Sequence, residues 1–125
     1  GWVILDFEGE PARPVDERRL HHSPLRDVAG MLRSLAYAAA THRRSQGRRL
    51  SPGWAPAARA AFLDRALATV DPALLPSSAV ATSALVRLFE LEKVVYEIAY
   101  ERAHRPDWVD VPLEGLRLLL AEDHA

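Results

Sequence analysis

Helical spacing of apolar residues between proline and glycine breaks is the feature that most constrains the fold of this chain. Apolar side chains recur every three or four residues, as on one face of an α-helix. Serine followed by proline is typical of a helix start, and a residue preceding proline disfavours further helix. The spacing predicts helices over residues 24–41, 55–70 and 76–104 and a short helix from Pro112.

The segments between these helices are predicted to be loops. Residues 43–53 contain Gly47, Pro52 and Gly53, which break regular structure, and residues 107–111 form a second loop. The apolar side of the last helix is predicted to consist of Leu113, Leu116, Leu119 and Leu120.

One short β-strand is predicted, at the start of the chain. Residues 2–5 are all apolar and run into an Asp-Phe-Glu-Gly turn, the pattern of a buried strand with a carboxylate at its end. We identify no second strand. The fold class is therefore mainly α, and residues 1–125 form a single domain or a piece of one.

Composition narrows the classes of function. The chain has no cysteine and a net charge of -1, which argues against disulfides and against bulk attraction to nucleic acid or to an anionic membrane. No apolar run reaches transmembrane length, so we expect a cytoplasmic protein without membrane or nucleic-acid partners. Arginines crowd the first part of the chain and acids the second; the arginines either form a solvated surface or pair with those acids.

The carboxylate of Asp6 is a candidate metal ligand. In kinase-like folds an Asp-Phe-Gly motif at a strand end binds Mg²⁺, because a hard cation that bridges phosphates needs a fixed oxygen anion. An ordinary core strand that ends in an acidic turn is the alternative, since a motif this short is weakly specific.

Four residues of the long helix are candidates for binding a substrate. On a helical wheel Leu88, Leu91, Val94, Val95, Ile98 and Ala99 form an apolar face that is predicted to be the core face. Lys93, the only lysine, falls on the opposite face with Tyr96, Glu97 and Tyr100. Rings that cover apolar C–H faces, beside polar groups that bind hydroxyls, are what a carbohydrate site requires. A surface ion pair between Lys93 and Glu97 with tyrosines packed under a loop is the alternative.

Three segments of the chain resemble bacterial maltokinases, which belong to the aminoglycoside-phosphotransferase-like kinases. They are GWVILDFEGEP at residues 1–11, SPLRDVAGMLRS at residues 23–34 and ELEKVVYE at residues 90–97. The resemblance implies the helical C-terminal lobe of a protein-kinase-like fold, and ATP-dependent phosphorylation of maltose to maltose 1-phosphate. It also implies that Asp6 binds Mg²⁺ and that Lys93, Tyr96, Glu97 and Tyr100 bind maltose.

The resemblance also defines what the chain lacks. Members of the family are often fused to trehalose synthase, and their nucleotide-binding lysine and catalytic aspartate precede the segments matched here. No glycine-rich loop and no His-Gly-Asp loop occurs in the chain. We therefore expect those parts upstream of Gly1 and no kinase activity from this chain alone. Two alternatives remain: a kinase for another sugar or an aminoglycoside, and a non-catalytic helical interaction module.

Overall fold

The described part of the chain is helical. The computed structural model describes residues 23–47, 51 and 53–121, so the predicted strand and Asp6 lie outside that part. The α-helices are α1 (Pro24–Gln46), α2 (Trp54–Thr69), α3 (Ala79–His104) and α4 (Asp110–Ala121). The mainly α fold class is confirmed.

Serine caps begin two of the helices: α1 starts at the predicted residue, and α3 starts three residues later than predicted. The Ser23 Oγ accepts a hydrogen bond of 3.2 Å from the backbone N–H of Leu25. The Ser78 Oγ accepts one of 3.0 Å from the N–H of Ala81. Each hydroxyl satisfies an N–H group that the first turn of a helix otherwise leaves unpaired.

Helix α1 is longer than predicted. It ends at Gln46 rather than near Thr41, because Gly47 is the first residue able to stop it. Gly47 adopts the left-handed conformation with φ of 66°, and its N–H donates to the carbonyl of Arg43 at 3.1 Å. The predicted loop over residues 43–53 is therefore wrong in its first residues.

Helix α4 begins earlier than predicted. Residues Pro106–Trp108 form a 3₁₀ turn, and α4 starts at Asp110 instead of Pro112. Proline is tolerated in a first helical turn, because the N–H groups there have no partner within the helix. The loop predicted over residues 107–111 is thus largely helical.

The core lies where α1, α2 and α3 meet. Helix α1 packs along α3 over the most extensive interface of the described residues, and α4 also packs against α3. The fully buried centre comprises Leu25, Val28, Leu32 and Val86. Phe62 and Leu63 of α2 and Phe89 of α3 are among the partly buried side chains around it.

The core face of α3 differs from the predicted one. Val94 is buried as expected, but Leu88 is 58% exposed and Val95 is 62% exposed. The buried residues of α3 are Thr82, Val86, Glu90, Val94, Glu97 and Glu101. Hydropathy assigns glutamate to solvent, whereas here arginines neutralise three buried glutamates.

The buried side of α4 also differs from the prediction. Leu119 is buried, but Leu113 and Leu120 are each about half exposed. The buried residues are Val111, Pro112, Gly115 and Leu119. A run of leucines fits several helical faces equally well, and contact with α1 and α3 selects this one.

Candidate functional site

A cavity of about 190 Å³ lies between α1 and α3. All four predicted substrate residues line it, together with five residues that the sequence did not single out. The lining residues are Gly30, Arg33, Ser34, Tyr37, Lys93, Tyr96, Glu97, Tyr100 and Glu101. The structure therefore brings the predicted set together, and sugar binding by that set stays a prediction.

Glu97 is held by Arg33 of α1 and does not face open solvent. Nε of Arg33 donates to both carboxylate oxygens of Glu97, at 3.0 and 3.1 Å, and Nη2 donates at 2.9 Å. The two side chains are only 7% and 9% exposed. The predicted placement of Glu97 on the solvent face is wrong. The fork-like contact fixes its carboxylate at the cavity wall.

Lys93 lies at the partly buried edge of the same wall. Burial lowers the pKa of its ammonium group, and the nearby negative charge of Glu97 opposes that effect. Its Nζ lies 5.0 Å from the centroid of the Tyr96 ring. A cation over an aromatic face at this distance is attracted by the ring quadrupole.

Two tyrosines form an aromatic ledge along α3. The rings of Tyr96 and Tyr100 are nearly parallel, with centroids 6.4 Å apart and 19° between their planes. The Tyr100 ring also contacts the His104 ring, at 4.6 Å. Because Tyr100 is 42% exposed, the ledge offers ring faces and hydroxyl groups to a ligand from solvent.

The α1 wall of the cavity was missed by sequence reasoning. Gly30, Arg33, Ser34 and Tyr37 follow the same i, i+3, i+4, i+7 spacing as the residues on α3. This second stripe lies in a segment otherwise rich in alanine and leucine, and it is the sequence pattern from which the α1 wall could have been predicted.

Tyr37 contributes a buried hydroxyl to the α1 wall. Among the described residues that hydroxyl has no hydrogen-bond partner. Burial raises the pKa of Tyr37, and the charges of Glu97 and Glu101 raise it further. The hydroxyl is therefore a proton donor over the whole physiological pH range.

Glu101 closes one end of the cavity and is paired outside it. Arg105 donates to its two oxygens at 2.7 and 3.0 Å, and the Glu101 side chain is only 2% exposed. This hydrogen bond raises the pKa of Arg105. The second buried carboxylate thus has its own arginine partner.

Arginines of the first part of the chain pair with acids of the second part. Arg26 contacts Glu92 at 2.6 Å and Arg44 contacts Asp110 at 3.1 Å, in addition to the buried contact of Arg33. The pairing that the charge distribution suggested is confirmed for these three. They tie α1 to α3 and α4.

A second, larger cavity of about 430 Å³ lies on the other side of Arg33. Alanines of α1, Val111 and Leu118 of α4, and Ser51 and Ala55 contribute to its wall. The four predicted substrate residues of α3 do not line it. Among the described lining residues, Arg33 is common to both cavities.

The described residues build no metal site. Nowhere in residues 23–47 or 53–121 do three His, Cys, Asp or Glu side chains converge as a metal requires. The predicted ligand, Asp6, lies outside the described residues. Within the same ranges no helix has the length and apolar character needed to cross a membrane.

Comparison with known proteins finds sugar kinases. The chain matches no protein-family model. Over 97% of its length it is 32% identical to a glucosamine kinase of Mycolicibacterium smegmatis and 31% identical to a glucosamine kinase of Streptacidiphilus jiangxiensis. It spans only 30% and 28% of those two proteins. The chain is thus similar to a part of these enzymes. Because both are named glucosamine kinases, they do not support maltose as the acceptor.

Proposed function

We propose that this chain is the acceptor-binding part of an ATP-dependent sugar kinase. The observation that carries the proposal is the cavity between α1 and α3, which gathers Lys93, Tyr96, Glu97 and Tyr100 at one place. Fixed charges beside an aromatic ledge suit a ligand with hydroxyl groups and apolar C–H faces. Similarity to glucosamine kinases along nearly the whole chain supports the same class of reaction.

Two acceptors are proposed for this cavity. Glucosamine is favoured by the names of the relatives and by the size of the cavity. Its volume of about 190 Å³ is below the range of about 300–1,000 Å³ usual for drug-sized ligands, which suits one sugar ring better than two. Maltose is favoured by the maltokinase-like motifs at residues 23–34 and 90–97.

The remaining parts of the reaction are assigned to other segments. ATP binding and the catalytic base are proposed to lie upstream of Gly1, in the same polypeptide or in one fused to trehalose synthase. Asp6 is the proposed Mg²⁺ ligand. With Mg²⁺ bound, such a site neutralises phosphate charge during transfer, while residues of α1 and α3 hold the sugar. We further propose a cytoplasmic enzyme with no nucleic-acid or membrane partner.

The test is steady-state kinetics of the full-length gene product with a panel of acceptors. Glucosamine, maltose, glucose and an aminoglycoside are each supplied with Mg²⁺ and ATP, and ADP release is recorded. We expect turnover with glucosamine or with maltose. Absence of turnover with every sugar would reject the sugar-kinase proposal, and turnover with the aminoglycoside alone would replace the acceptor class.

A matched pair of variants connects the activity to the cavity. Glu97→Gln is expected to raise the sugar KM about tenfold without changing the KM for ATP, because a charged hydrogen bond is worth about 1.5–3 kcal/mol. Glu92→Gln is the control: Glu92 lies on the same helix, pairs with Arg26 and does not line the cavity. Equal sugar KM values for the two variants would show that Glu97 does not bind the sugar.

A further inference from the structure

Arg33 occupies a confined position at the meeting point of three helices. It belongs to α1, is only 6% exposed, and its guanidinium group contacts Glu97 of α3 on one side. On the other side lies Gly115 of α4. The group that fixes the cavity carboxylate is thus itself in contact with a helix that does not line that cavity.

Gly115 leaves the space that this guanidinium group fills. A Cβ atom at position 115 would lie 2.7 Å from both terminal nitrogens of Arg33 and 2.9 Å from its Cζ. By contrast, a Cβ atom at Gly53 would meet nothing within 4 Å. The absence of a side chain at position 115 therefore leaves the room that the Arg33 guanidinium group occupies.

An extra methyl group at position 115 would act on Glu97 through Arg33. The end of an arginine side chain can normally swing aside, but this one donates three hydrogen bonds to a buried carboxylate. A swing would break the parallel geometry and leave two buried charges poorly paired. Glu97 would then either follow Arg33 or take a different rotamer at the cavity wall.

We propose that Gly115 is a positioning residue for the cavity between α1 and α3. It gives Arg33 the room to hold the Glu97 carboxylate in place, so that α4 influences the affinity for the acceptor without touching it. This inference rests on the proposed function, in which Glu97 binds the sugar.

The test is a double-mutant cycle in the full-length gene product. Gly115→Ala is expected to raise the sugar KM about tenfold and to spare the KM for ATP, because small misplacements of a binding group are costly. Arg33→Lys alone also raises the sugar KM, since lysine cannot form the fork. In the Arg33→Lys background, Gly115→Ala adds less than about twofold, because the slender ammonium end no longer meets the Cβ atom.

Gly53→Ala is the matched control, because it makes the same chemical change in open space and is expected to leave both KM values unchanged. If Gly115→Ala folds poorly by thermal unfolding, its melting temperature is compared with that of the double variant, and recovery in the double variant supports the inference because the clash is with the guanidinium group. Independent effects of the two substitutions, or a wild-type KM in Gly115→Ala, would overturn it. A sugar KM can be measured only if the wild type phosphorylates sugar. An inactive wild type would therefore reject the proposed function and is distinct from a failure of this inference.

Discussion

At the scale of single residues, buried glutamates dominate the long helix α3. The side chains of Glu90, Glu97 and Glu101 are each at most 9% exposed, and each contacts an arginine: Arg59, Arg33 and Arg105, respectively. Removing one partner of such a pair leaves a buried charge without compensation. Arg33 of α1 and Arg59 of α2 join those helices to α3, whereas Arg105 directly follows α3 and contacts it locally.

Tyr37 gives a prediction for stability and its pH dependence. Its hydroxyl is buried without a partner among the described residues, so Tyr37→Phe is expected to raise the free energy of unfolding at pH 7 by about 1 kcal/mol. Because the folded pKa of Tyr37 lies above its ordinary value of 10.0, the wild type loses stability as pH rises above 10.0 and Tyr37→Phe lacks that loss. Urea titrations at pH 7 and pH 11 measure both effects.

Lys93 titrates in the same alkaline range with the opposite sign. The pKa of Lys93 is lowered in the folded state, so its contribution to the free energy of unfolding increases as pH rises towards 10.5. Lys93 is present in both wild type and Tyr37→Phe, so the difference between their free energies of unfolding does not include its effect. A variant that is less stable than wild type at pH 7 and keeps the same alkaline slope would show that the hydroxyl has a partner.

At the scale of elements, the start of α1 was the most predictable feature, whereas α3 begins three residues later and α4 two residues earlier than predicted. Ser23 and Ser78 cap α1 and α3 because a hydroxyl at that position satisfies a free N–H group, and this depends only on local sequence. The end of α1 was less predictable. Residues 42–46 can continue a helix or form a loop, and hydrogen bonds from Arg44 to Asp110 of α4 favour the helix.

The capping contact of α3 gives a prediction at this scale. Ser78→Ala is expected to lower the free energy of unfolding by about 1 kcal/mol, because the N–H of Ala81 loses its acceptor. Ser83→Ala, at an exposed position inside the same helix, is the control and should be neutral or slightly stabilising. Urea denaturation of the two variants compares them directly. Equal losses would mean that Ser78 acts by something other than capping.

Only the part of the candidate site that lies on α3 could be predicted from the sequence. The stripe on α3 was found because Lys93, Tyr96 and Tyr100 stand out by residue type and spacing. The α1 wall was missed because Arg33 and Tyr37 look like surface residues until α1 is placed against α3. The burial of Glu97 could not be predicted either, since it depends on an arginine 64 positions earlier in the chain.

At the scale of the whole molecule, the described part combines charge pairs between its helices with several exposed apolar side chains. Leu88 and Val95 on α3 and Leu113 on α4 are about half exposed or more. The two glucosamine kinases have about 70% of their length outside the matched region. A chain that supplies only the acceptor-binding part of such an enzyme should not act alone.

The isolated chain is therefore expected to be inactive. Purified 125-residue protein, supplied with Mg²⁺, ATP and glucosamine or maltose, should release no ADP above background, because it contains neither a glycine-rich loop nor a His-Gly-Asp loop. The full-length gene product in the same assay is the control. Measurable sugar phosphorylation by the isolated chain would contradict the assignment of the catalytic parts to another segment.

Calorimetric titration of the full-length gene product tests the proposal that the cavity between α1 and α3 binds the acceptor sugar. Lys93→Met keeps the length of the side chain and leaves Arg33 and Glu97 paired. We predict a sugar Kd at least about tenfold weaker than wild type, with unchanged binding of a non-hydrolysable ATP analogue. Arg102→Met, at an exposed position on the same helix, should bind sugar as wild type does. A wild-type sugar Kd in Lys93→Met would contradict the proposal.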